Sequence, residues 1–313
     1  MCTAATYKTD GFYFGRTLDY EFSYGDEIVV TPRRFPLAFS GGKALSEHFA
    51  LLGMAHVADG YPLYYDAMNE KGLCMAGLNF VGNAAYAAPR GGEGDVAQFE
   101  FIPWVLAQCA SVSEARVLLG KTNLTGTPFS AALPAAQLHW LLADKDECVT
   151  IESTADGLHV YDNPAGVLTN NPPFPQQLFR LNDYQSLSPR QPENTFAPAL
   201  DLRSYSRGMG ALGLPGDLSS SSRFVRAAYL NAHHAPKDTE RGNVARVFRT
   251  LGGVAMVEGS AQMNDGANEF TVFTSAYSAR EGRYYFNTYE NATYATAAFA
   301  DFDMDGTEVQ QAH

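Results

Sequence analysis

Cys2 follows Met1, so excision of the methionine would place a thiol and a free α-amine on one residue. Together they form a nucleophile with its own base. An α-amine has an ordinary pKa of about 8, well below lysine, and much of it is an unprotonated base near neutral pH. A thiol attacks as the thiolate and needs a neighbouring base or cation to reach that form. Methionine excision requires a small second residue, and cysteine meets that requirement. Cys74, Cys109 and Cys148 lie among apolar neighbours and read as small buried hydrophobes. The cysteine spacing has no metal-site pattern.

Such a site needs elements to hold it. Residues 3–7, 12–16 and 27–31 carry the β-branched and aromatic content of strands. Thr9-Asp10-Gly11 reads as the turn of a hairpin that returns Arg16 to the chain start. Residues 51–57 and 73–80 extend the strand-rich section. From Val96 the period becomes helical, with Phe99, Ile102, Trp104, Val105, Leu106 and Cys109 on a stripe and Pro103 at a first turn or a kink. A second helix is expected over 113–119, capped by Ser111 or Ser113 and closed by Gly120. Strands return at 137–142, 148–152 and 158–161. Residues 170–175 read as a proline-rich loop. Helices are expected over 223–233, capped by one of Ser219 to Ser222, and over 243–251, with closing strands at 270–277 and 284–289. This order predicts sheets covered by helices.

The chain has 313 residues, 46% hydrophobic and 12% aromatic, with no repeat or low-complexity tract. It reads as one continuous domain, 1–313. Lys and Arg number 22 against 34 Asp and Glu, a net charge of -12, which argues against nucleic-acid binding. The start lacks a basic region followed by a long apolar run, and no apolar stretch is long enough to span a bilayer. A reduced, cytoplasmic protein is expected. Asp301, Asp303, Asp305 and Gly306 imitate the start of a calcium loop, but Ala312 stands where the bidentate glutamate belongs, so a solvated turn is expected.

The ordered set of Cys2, Gly15-Arg16-Thr17-Leu18-Asp19, Asn69-Glu70-Lys71-Gly72-Leu73 and Gly77-Leu78-Asn79-Phe80 resembles the choloylglycine hydrolase family of bile salt hydrolases and penicillin V acylases. The likeness continues through Val167-Leu168-Thr169-Asn170, Leu214-Pro215-Gly216-Asp217, Ser222-Arg223-Phe224-Val225-Arg226 and Asn287-Thr288-Tyr289-Glu290. The resemblance implies an α+β N-terminal nucleophile hydrolase fold, a four-layer αββα sandwich, and a homotetramer. It implies Cys2 as nucleophile, Arg16 beside the thiol, and Asp19 on the α-amine. Asn79 and Asn170 fall at the oxyanion region, and Arg223 is the remaining active-site arginine. Asn at 79, where penicillin V acylases tend to carry Tyr, favours conjugated bile salts as substrates.

No metal or organic cofactor is called for. Tyr20, Phe22, Phe129 and Leu133 are expected to wall the apolar pocket, a reading that rests only on apolar residues at loop positions. The rival activities are penicillin V acylase and N-acyl homoserine lactone hydrolysis. A small apolar ligand-binding protein is the non-enzymatic rival. Intact Cys2, Arg16 and Asp19 count against it, since a binder has no need of all three.

Overall fold

The computed structural model describes residues 1–312. Cys2–Lys8 and Phe12–Tyr20 pair antiparallel from Cys2 opposite Leu18 to Lys8 opposite Phe12, so Thr9-Asp10-Gly11 is the hairpin loop. Side chains alternate across a strand. Arg16 therefore faces one way, onto Tyr65 and Asp66, while Tyr13 faces the other, onto Glu240. Gly15 shares the Tyr13 face. A Cβ there would meet the carbonyl of Ser275 at 2.4 Å and Val247 at 2.7 Å, so glycine lets the Glu240–Gly252 helix lie close on this strand.

Among the described residues this hairpin belongs to a six-stranded sheet. Its order is Val167–Leu168, Cys2–Lys8, Phe12–Tyr20, Phe270–Ser278, Arg283–Thr288 and Ala295–Ala298. The second sheet has eight strands in the order Gly157–Asp162, Cys148–Thr154, Leu138–Ala143, Cys74–Asn79, Tyr61–Asn69, Leu51–Ala58, Glu27–Thr31 and Gln310–Gln311. The Ser220–Ala232 and Glu240–Gly252 helices cover the outer face of the first sheet. Phe101–Leu106 covers the second. One apolar cluster joins the two sheets and the first helix pair. Another lies between the second sheet and its helices. The result is the four-layer αββα sandwich.

Local signals held where local forces act. Ser111 caps Val112–Leu119, accepting from the Glu114 N–H, and Ser219 caps Ser220–Ala232. Pro103 sits in the first turn of its helix, where a missing N–H costs nothing. The Asp301–Gly306 stretch is a turn in which Asp303 accepts from the Asp305 N–H and Asp305 pairs with Arg33. The sequence reading has no strand at Asp95–Ala97 or Asn123–Thr125, the first of which takes in Val96, and two longer elements also depart from it. Tyr61–Asn69 is a long interior strand, masked in the sequence by Pro62 and by a run with little alternation. Residues 170–175 are not all loop, because Phe174 starts a helix to Arg180 behind Pro173.

Candidate active site

Cys2 opens the first strand, and three elements converge on it. The hairpin brings Arg16 and Asp19. The short strand Val167–Leu168 pairs with the other edge of Cys2–Lys8, Leu168 opposite Ala4, so Asn170, two residues on, arrives level with Cys2. The Cys2 nitrogen donates to Asn170 Oδ1 over 2.9 Å. Asn170 Nδ2 donates to the carbonyl of Asn79 over 2.8 Å, tying the end of the Cys74–Asn79 strand to the same point. The third element is the Ser220–Ala232 helix, whose first turn carries Arg223.

Arg223 is fully buried and spends its guanidinium on this junction. Nη1 donates to the Cys2 carbonyl at 2.6 Å and to Thr3 Oγ1 at 2.7 Å, and Nη2 donates to Asn170 Oδ1 at 2.6 Å. Nη1 is also 3.8 Å from Asp19. Burial lowers the pKa of Arg223, opposed by Asp19 and Cys2.

Asp19 is buried. It accepts from Thr271 Oγ1 at 2.6 Å and from Thr17 Oγ1 at 3.2 Å. Thr271 reaches it because the Phe270–Ser278 strand bulges between Thr271 and Phe273, placing Thr271 opposite Asp19. Among the described residues the hydrogen-bond partner of the Cys2 nitrogen is Asn170, and Asp19 acts on the chain start by charge. The Met1 amine donates to the Asp19 carbonyl at 2.6 Å and pairs with Glu269. Burial lowers the pKa of this amine, while Cys2 and Asp19 raise it.

Arg16 enters from the opposite face of the same strand. Its Nε donates to the Thr17 carbonyl at 3.0 Å, and Nη1 donates to the Tyr65 carbonyl at 3.3 Å. Asp66 lies 3.7 Å away and is itself held by the hydroxyls of Tyr277 and Tyr284. A second bulge, between Met54 and Ala55 opposite Asp66 and Tyr64, leaves Tyr65 unpaired in the ladder and turns its carbonyl to Arg16. Burial works against the charge on Arg16. Cys2, Asp66 and Asp19 outweigh it and raise the pKa. The sequence reading missed Asp66, although an acidic residue among Tyr65, Ala67 and Met68 is a signal that a buried cation needs it.

Cys2 and Asn79 line a cavity of about 380 Å³, within the size range of small-molecule sites. Tyr20, Phe129 and Leu133 line it too. Phe22 does not line it and stands half-exposed against Tyr20 and Tyr24. Sequence reasoning missed Tyr24, Phe99, Ile102, Leu138 and Trp140, which come from separate segments and share only their apolar character. A wider cleft of about 750 Å³ around Arg33, Glu70 and Lys71 is open, polar and lined by none of the site residues. No cluster suited to a metal occurs among the described residues.

Two sheets stacked between helical layers, with a cysteine starting an interior strand, define the N-terminal nucleophile hydrolase class. Residues 2–311 match the linear amide C–N hydrolases of the choloylglycine hydrolase family. A bile salt hydrolase/transferase of Lactiplantibacillus plantarum is 48% identical over 309 residues, covering 99% of this chain and 95% of the relative. The crystal structure of a mutant conjugated bile acid hydrolase from Clostridium perfringens superposes with a TM-score of 0.93 at 34% identity, covering 100% of this chain and 97% of that one. A penicillin V acylase from Agrobacterium tumefaciens, at 20% identity and a TM-score of 0.78 over 99% of this chain and 90% of its own, shares the fold. The chain belongs to the choloylglycine hydrolase family. No helix among the described residues is long and apolar enough to cross a membrane.

Proposed function

We propose that this chain hydrolyses the amide bond of glycine- or taurine-conjugated bile salts, with Cys2 as the nucleophile. The observation that carries the reading is the opening of Cys2, beside Asn79, into an apolar cavity of ligand size. A steroid face offers a large apolar area, and its burial drives binding at roughly 25 cal/mol per Å² before ordering costs.

With Met1 removed, the Cys2 nitrogen becomes an α-amine held by Asn170 Oδ1. The amine takes the thiol proton, with Arg16 favouring the thiolate by charge. Sulfur attacks the amide carbonyl. The Asn79 side-chain amide has no hydrogen-bond partner among the described residues, and Asn170 Nδ2 has an N–H beyond the one given to Asn79. Both are donors for the developing oxyanion. The C–N bond breaks as the amine returns its proton to the departing amino acid. Water, activated by the same amine, attacks the thioester, and sulfur leaves as the thiol is re-protonated. Arg223 and Asp19 hold the geometry in which this happens.

The reading extends to a cytoplasmic homotetramer. Free thiols at Cys2, Cys74, Cys109 and Cys148 support the compartment, and exposed Phe179, Phe196 and Tyr205 support an assembly surface.

The test compares release of glycine, taurine and 6-aminopenicillanic acid under identical conditions. Conjugated bile salts are expected to show much the higher kcat/KM. A tenfold or greater preference for penicillin V would move the chain to the acylase activity instead.

A further inference from the structure

Gln98 begins the short Gln98–Glu100 turn that leads into the Phe101–Leu106 helix. It lines the cavity that reaches Cys2, yet only 4% of it is exposed. Every hydrogen bond recorded for a Gln98 atom is made by its backbone, so its side-chain amide has no partner among the described residues. The amide atoms are not fully enclosed, and the residue lines the cavity, so the amide is free to bond a group that enters there.

A second polar group on this wall also lacks a partner and is fully enclosed. Trp140 is fully buried and lines the cavity, and its indole Nε1 has no hydrogen-bond partner. It stands opposite Gly77, another lining residue, where an added Cβ would lie 3.2 Å from Nε1. Glycine at 77 thus leaves the indole N–H without a neighbouring side chain on the cavity side. Gln98 and Trp140 belong to the second sheet and its covering layer, whereas Cys2 belongs to the first sheet. Asn79, which ends a strand of that second sheet, joins the Cys2 junction through Asn170, and neither Gln98 nor Trp140 bonds into that junction.

The chemistry of the wall selects the ligand group. No Asp, Glu, Lys or Arg is among the described lining residues, where the other polar side chains are Cys2, His56, Asn79 and several tyrosines. The Gln98 amide donates and accepts, and the Trp140 N–H only donates. A carbonyl would leave Gln98 Oε1 unpaired. A hydroxyl donates once and accepts twice, and so suits both. We infer that Gln98, assisted by Trp140, reads a hydroxyl carried on the otherwise apolar acyl group and so sets which hydroxylated substrates are preferred. The inference rests on the bile salt reading above.

The experiment uses glycine conjugates of cholanic acids bearing no, one, two or three ring hydroxyls. Hydrolysis is measured with the wild type, Gln98→Leu and Trp140→Phe. At one ring position, losing the hydroxyl lowers wild-type kcat/KM about tenfold, as expected when a site's polar groups lose their partner. In Gln98→Leu the same loss changes kcat/KM less than about twofold, because the paired groups are non-additive. Trp140→Phe weakens the same dependence. A fall of equal size for every conjugate in Gln98→Leu is the mark of a merely structural role and overturns the inference. Gln98→Met, which keeps the length, replaces Gln98→Leu where that variant fails to fold.

Calorimetric binding of the unconjugated acids to the same proteins separates this idea from the reading beneath it. Hydroxyl-dependent binding to the wild type that disappears in Gln98→Leu upholds the inference even when no conjugate is cleaved, an outcome that would remove the bile salt hydrolase reading alone. Absence of any hydroxyl dependence, including no binding at all, overturns the inference.

Discussion

Arg223 Nη2 donates to Asn170 Oδ1 over 2.6 Å, across 53 residues of sequence. The same amide oxygen accepts from the Cys2 nitrogen. One buried guanidinium therefore sets the position of the group that holds the chain start. Arg223→Lys keeps the charge and loses the fork of donors, and a lysine cannot reach Cys2, Thr3 and Asn170 together. We expect kcat to fall at least ~10-fold with a smaller change in KM, because a misplaced reacting group costs rate. Steady-state kinetics of the folded variant check this. An unchanged kcat would show that Asn170 needs no help from Arg223.

The active chain is expected to begin at Cys2. The base proposed for the reaction is an α-amine on that residue, and in the unprocessed chain its nitrogen is an amide. Intact-mass measurement of active protein should show the loss of one methionine. Full turnover in a preparation that quantitatively retains Met1 would refute the assignment.

Cys2→Ser replaces the thiol with a hydroxyl of similar shape and far higher pKa. Turnover should drop at least ~100-fold, the lower scale for losing nucleophile or acid–base assistance. The near-isosteric change leaves the buried surroundings of Cys2 filled, so circular dichroism should match the wild type. Both readouts belong on one sample, and near-wild-type turnover would end the proposal for Cys2.

Asp19→Asn removes a negative charge that raises the pKa of the Met1 amine, and the same carboxylate favours the protonated form of an α-amine on Cys2 once Met1 is gone. Without it the amine gives up its proton more readily, so the acidic limb of the kcat/KM profile should move to lower pH. Activity should also fall at least ~10-fold as the amine loses its orientation. If Asp19 serves only to hold Thr17 and Thr271, the pH profile will not move, although the melting temperature drops.

Asp217 accepts from the Ser219 N–H at 3.0 Å and from Ser222 Oγ at 2.6 Å, just ahead of the helix that carries Arg223. The Ser219 and Ser222 hydrogen bonds pull its carboxyl down to about 2 from 3.8. A depressed folded-state pKa gives stability that is fully present above the ordinary value and lost as pH falls through the folded one. Wild type should therefore melt above Asp217→Asn at pH 5 to 7, and the gap should close between about pH 4 and pH 2. A gap of constant size down to pH 2 would mean the carboxylate charge contributes nothing.

The amino-acid sequence by itself carried the reactive residue, the hairpin and the caps. Cys2 behind Met1 names its own chemistry. Thr9-Asp10-Gly11 closes a turn within three residues, which brings Arg16 and Asp19 back to the start of the chain. Ser111 and Ser219 start their helices by accepting from N–H groups three residues on. Such interactions are local, and their geometry follows from spacing alone. Tertiary structure decided the rest. The Cys2 nitrogen meets Asn170 across 168 residues because a two-residue strand joins the sheet edge in one register. Bulges at Tyr65 and Val272, invisible to a two-residue periodicity, aim Tyr65 at Arg16 and Thr271 at Asp19. Tyr61–Asn69 hid because an interior strand packed on both faces shows little alternation. Gln98 and Trp140 look ordinary in the chain. Only the folded cavity brings them to one wall with polar groups that lack partners, since hydrogen-bond satisfaction depends on all the segments that arrive around a group.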